Sequence, residues 1–121
     1  MLAAWVSDAV DAAVLLREID EARFTEGPAP LLARLRARGA HAPTRSRLRR
    51  RWLASAIYRL DRALFSEPNC YRRTLVLMAM DADAAREPLM LGLDVPDSGA
   101  TGHAWVAGRE TPARFHVEFR L

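Results

Sequence analysis

The chain has no lysine and no glutamine, a single asparagine (Asn69) and a single cysteine (Cys70). Without lysine it has neither Schiff-base chemistry nor a lysine-bearing phosphate loop. One cysteine excludes an internal disulfide framework, and a cytoplasmic address is the default expectation. Nothing approaches the roughly 18 uncharged apolar residues of a membrane span; the apolar runs are short and broken by arginine or aspartate. The opening "MLAAWVSDAVDAAVLL" has no basic start, and Asp8 and Asp11 interrupt its apolar part, unlike a signal peptide.

The 121 residues are half hydrophobic and 27% charged, the balance expected of one globular domain. All eighteen basic residues are arginine, and they are unevenly spread. Residues 1–65 carry twelve arginines against seven acids, whereas residues 66–121 carry six against eight.

Apolar periodicity divides the chain. Val6, Val10, Val14, Leu15 and Ile19 recur at helical spacing and predict a core-facing stripe on a first helix. "EGPAP" ends it, and "LLARLRARG" predicts a short second helix with Gly39 as its stop. "RLRRRWLASAIYRLDRALF" predicts a third, with Leu48, Trp52, Leu53, Ile57, Leu60 and Leu64 on one broad face. After the turn "SEPN", "CYRRTLVLMAM" predicts a fourth helix with Thr74 and the two arginines on its wetter side. Beyond "DADAARE" the period shortens: "PLMLGLDV", "GHAWVAG" and "RFHVEFRL" predict three strands, with "GRETP" a hairpin connection between the last two. Helices followed by a small antiparallel sheet make an α+β fold.

Two residues carry the chemical interest. Cys70 opens a helix, where the dipole and unpaired backbone N–H groups favour a thiolate. His103 lies on a strand about thirty residues later. A helix-borne cysteine meeting a strand-borne histidine can form a nucleophile and its base. A hairpin centred near Glu110 sets His103 across from residues 117–118, which makes Glu118 the preferred acid to orient the imidazole. Glu110 lies too far round the turn to reach it comfortably. His116 would share the face of Glu118. The Cys70 N–H is one candidate oxyanion donor; Asn69 is either a helix cap or a substrate contact, with capping preferred.

The stretch "NCYRRTLVL…LMLGLDV…GHAWV" resembles the B2 proteins of lasso-peptide biosynthesis, small transglutaminase-like cysteine peptidases. The matching positions are Cys70, Arg73, Leu75, Leu77, Leu89, Gly92, His103, Ala104, Trp105 and Val106, and the likeness spans roughly residues 48–118. This chain has Ala107 and Phe115 where that family carries acids. The resemblance implies a transglutaminase-like or papain-like domain over residues 1–121, with 1–47 a helical lead-in and 48–121 the catalytic core. It implies a leader peptidase acting on a ribosomally made precursor peptide, with a small leader-binding protein and a cyclase as partners. Cys70 and His103 would be catalytic, and Trp105 and Asn69 near substrate; Glu118 is the third member by the hairpin register above, not by the resemblance. No metal or organic cofactor is needed.

Other readings remain. Cys70, His103 and His116 could be metal ligands, but no close ligand pair accompanies them. The arginines of "LARLRARG" and "RSRLRRRW" could engage phosphates, yet no base-reading residues are interleaved, so docking of an acidic leader or its carrier is preferred to nucleic acid. Finally, the fold could persist as an inactive peptide-binding scaffold.

Overall fold

The computed structural model describes residues 2–94, 101–109 and 117–121. Five helices precede three strands: α1 (Leu2–Thr25), α2 (Pro28–Ala40), α3 (Arg47–Leu64), α4 (Cys70–Met80), α5 (Ala82–Arg86), β1 (Leu89–Asp94), β2 (Thr101–Val106) and β3 (Val117–Arg120). Helices and a small antiparallel sheet give the expected α+β class. Among the described residues no helix is long and apolar enough to cross a membrane.

The central element is α4, which packs against α1, α2, α3, α5 and β2. Its Leu75, Val76, Met78, Ala79 and Met80 are buried, as are Arg72 and Thr74. The predicted wetter side of α4 is therefore largely interior. Leu15, Leu16 and Ile19 of α1, Leu31 and Leu35 of α2, and Leu53 and Ile57 of α3 close over it. Each such side chain is worth about 1.5–3 kcal/mol when removed from water.

The first helix forms as expected but turns a different side inward. Its interior residues are Asp8, Ala12, Leu15, Leu16, Ile19 and Ala22, while Val6, Val10 and Val14 are half-exposed or more. Asp8 decides this orientation, because its carboxylate holds Arg45 at 3.2 Å and Arg49 at 2.8 Å at the start of α3. Leu48, expected on the core face of α3, is exposed as well.

Gly39 does not act as a left-handed stop. α2 runs one residue past it, and His41 caps the helix in a right-handed conformation. Glycine is required by proximity: a Cβ there would stand 1.9 Å from the Met78 carbonyl oxygen and 2.8 Å from the Ala85 Cβ. The backbones of α2 and α4 thus approach as closely as they can.

"DADAARE" contains the short helix α5, which the sequence did not announce. Buried Asp81 ends α4 and caps α5 by accepting from the Asp83 N–H.

The sheet order is β2-β1-β3, both pairs antiparallel. The expected pairing of β2 with β3 through "GRETP" is thus corrected, because β1 lies between them. Burial explains the order. Leu89 of β1 pairs with Val106 and both are buried, so the most apolar strand takes the middle. Phe119, expected on the core face of the last strand, is exposed.

Candidate active site

Cys70 is the first residue of α4, and Asn69 is the N-cap whose side-chain oxygen accepts from the Arg72 N–H at 2.9 Å. The segment leading into the helix is held by a buried carboxylate. Asp61 of α3 accepts from the Asn69 N–H at 3.0 Å, from Arg72 Nε at 2.7 Å and from Arg73 Nη1 at 3.1 Å. Arg72 also reaches Asp20 of α1 at 2.7 Å and the Glu67 carbonyl at 3.0 Å, and its guanidinium lies over the Phe65 ring. Two buried charges with every contact supplied make a stiff anchor, and removing either partner would leave the other uncompensated. Placing the two arginines on the wetter side of α4, as the sequence suggests, does not anticipate this anchor. One signal was available: Asp61 continues the Leu53–Ile57 row at intervals of four, an acid in line with core residues.

Strand β2 is fixed to α4 through the backbone of one residue. The Ala104 N–H donates to Cys70 Sγ at 3.3 Å, and the Ala104 carbonyl lies 3.1 Å from Thr74 Oγ1. Thr74 Oγ1 is also 2.7 Å from the Cys70 carbonyl, one turn back on its own helix. The outer edge of β2 is thereby covered by α4, which protects an otherwise open strand edge. His103 precedes Ala104, so the same contact sets the height of the imidazole relative to the thiol. Cys70 and His103 line one pocket of about 380 Å³, with Pro68, Asn69, Tyr71, Leu91, Gly92, Gly102 and Ala104.

The electrostatics of the pocket suit a base. Burial, and secondarily the nearby Arg73 charge, push the His103 imidazole below its ordinary value. It is therefore uncharged at neutral pH and able to take a proton. Trp105, half-buried, stacks on it with ring centroids 5.7 Å apart and planes tilted by 21°. Burial also pushes the Tyr71 phenol up, so it remains a neutral hydroxyl at the pocket wall.

Glu118 stands elsewhere than a hairpin would put it. His103 and Glu118 both pair with Gly92, one from each side. They are two strands apart, about 10 Å between backbone positions. Gly92 contributes no side chain between them. Glu110 and His116 lie outside the described residues. Among the described residues, no group of three or more His, Cys, Asp or Glu is disposed to hold a metal ion.

The chain matches no protein-family model, no curated protein and no solved structure.

Proposed function

We propose that the chain is a transglutaminase-like cysteine peptidase that removes the leader from a ribosomally synthesised precursor peptide. One observation carries the catalytic part: a helix-initiating cysteine and a strand histidine held uncharged share one pocket, with the thiol tied to the residue next to the histidine. The leader-peptidase part rests on the sequence resemblance, as do the partners it implies, a leader-binding protein and a cyclase in the cytoplasm.

In this reading Cys70 Sγ transfers its proton to His103 and attacks the scissile carbonyl. The C–N bond breaks as the imidazolium protonates the departing amine, leaving a thioester on Cys70. Water then gives a proton to His103 and adds to the thioester. The C–S bond breaks, the new carboxylate leaves, and the thiol is restored. Backbone N–H groups at the start of α4 face the developing oxyanion. Glu118, at the register position across Gly92 from His103, is the acid assigned to orient the imidazole. None of these steps requires a cofactor.

Alkylation of Cys70 by iodoacetamide between pH 4 and 10, in wild type and His103→Ala, tests the pair. A working pair makes the wild-type thiol react about ten-fold faster than the variant near pH 6–7, with the difference closing above pH 9. A thiol that is inert, or that follows the same curve in both proteins, removes the peptidase reading and leaves a binding scaffold.

A further inference from the structure

A second hollow, larger than the Cys70–His103 pocket, is an open cleft of about 930 Å³, whose walls include Arg47, Arg50 and Arg51 of α3, Arg86 of α5, and Arg109 after β2. Leu77, Ala107 and Gly108 complete the side towards the catalytic pocket, and Asp83 and Glu87 are the acids in the lining. Five guanidinium groups thus face two carboxylates across one hollow. Asp83 is engaged by Arg50, at 3.4 Å, and by Arg86, while Arg109 reaches buried Asp81 at 3.2 Å. Arg47 and Arg51, one helical turn apart and exposed, have no ion pair among the described residues.

The position of the cleft gives this charge a direction. α4 lends a residue to each hollow, Cys70 to one and Leu77 to the other, and the chain that leaves β2 after His103 enters the cleft at Ala107. Cys70 and Leu77 are seven residues apart, which places them on one side of α4 about 10 Å from each other. His103 and Ala107 are four residues apart along β2 and its exit, about 13 Å. The turn into the cleft depends on Gly108, whose φ of 77° lies in the left-handed region and lets Arg109 fold back to donate its N–H to the Val106 carbonyl at 3.1 Å. An extended peptide advances about 3.3 Å per residue, so three or four residues bridge the two hollows.

We propose that this cleft is an exosite for acidic side chains of the peptide substrate, placed three or four residues from the bond presented to Cys70. The inference rests on the peptidase reading for its substrate, and on the cleft alone for its chemistry. Arg47 and Arg51 are the unengaged pair and take the carboxylates, while Arg50, Arg86 and Arg109 keep the local field positive. A peptide fits better than nucleic acid because no aromatic side chain lines the cleft to stack a base, and only two of the guanidinium groups are uncommitted.

The test is fluorescence anisotropy with a labelled peptide carrying an Asp-Ala-Asp segment. Its Asn-Ala-Asn counterpart and a twelve-residue oligothymidylate serve as competitors. The expected result is preference for the acidic peptide by about ten-fold or more at low salt, lost in Arg47→Glu/Arg51→Glu and Arg47→Ala/Arg51→Ala. Arg17→Glu, a charge change on α1 outside the cleft, leaves binding unchanged. Equal binding of the two peptides, equal loss in Arg17→Glu, or tighter cleft-dependent binding of the oligonucleotide overturns the proposal. Binding needs no turnover, so a chain without peptidase activity still gives a clear answer here. The spacing is read separately, by chloroacetyl peptides with one to eight glycines before the acidic segment. Labelling of Cys70 should peak at a spacer of three or four and flatten in the double variants; a rate indifferent to spacer length overturns the placement.

Discussion

Cys70 owes its setting to residues that carry none of the proposed chemistry. Asp61 ties the Asn69 N–H to α3, Arg72 joins that carboxylate to Asp20, and Ala104 offers its N–H to the sulfur. Asp61→Ala should therefore cost about 3–5 kcal/mol in denaturant unfolding, because buried Arg72 would lose its one fully buried counter-charge and keep only the partly exposed Asp20. At a temperature where that variant remains folded, Cys70 alkylation should also lose its dependence on His103. His103 makes a prediction of opposite kind. Its folded-state value is depressed, so below about 6.5 the unfolded chain binds the additional proton. The histidine's contribution is complete above that pH and is lost as pH falls towards the depressed folded value. His103→Asn should flatten this part of the stability–pH curve measured by urea unfolding. An unchanged slope would mean that the imidazole is not held neutral by its surroundings.

At the level of elements, the structure separates helix formation from helix orientation. α1 forms where its composition predicts, yet the valine stripe faces outward and Leu16, Ile19 and Ala12 face inward. Val10→Ser should change stability by no more than about 0.5 kcal/mol, whereas Leu16→Ala should cost about 2–5 kcal/mol. α2 and α4 meet at Gly39, so Gly39→Ala must push two backbones apart. A loss of at least about 1–3 kcal/mol is expected there, although alanine favours helix. A thermal melt no lower than wild type would contradict the close approach. The strands show the complementary case. Their existence was legible from short apolar runs, but their order was not, because adjacent strands in the sequence need not be neighbours in the sheet. With Leu89 buried and Leu91 partly so, β1 takes the centre and stands between Glu118 and His103, which are two strands apart.

For the molecule as a whole, α4 contributes both to a small pocket of about 380 Å³, through Cys70, and to a larger basic cleft of about 930 Å³, through Leu77. An arginine pair in that cleft should affect substrate capture and leave Cys70 chemistry intact. Arg47→Ala/Arg51→Ala is accordingly expected to retain the wild-type alkylation curve while losing the acidic peptide. Composition and periodicity by themselves determined the helices-then-strands class, the helix that begins at Cys70, the strand that carries His103 and the excess of arginine in the first half. These are properties of local spacing, since a helix start, an alternating run and a count of charges are each written within a few residues. Only the tertiary structure decided which side of α1 is interior, that Arg72 and Thr74 are buried, that β1 divides β2 from β3, and that arginines from α3, α5 and the turn after β2 converge on one cleft. Each of those outcomes depends on groups distant in the chain competing for the same contacts: Asp8 against the valine stripe, Asp61 against solvent for two guanidinium groups, and Leu89 against the strand edges for a covered place.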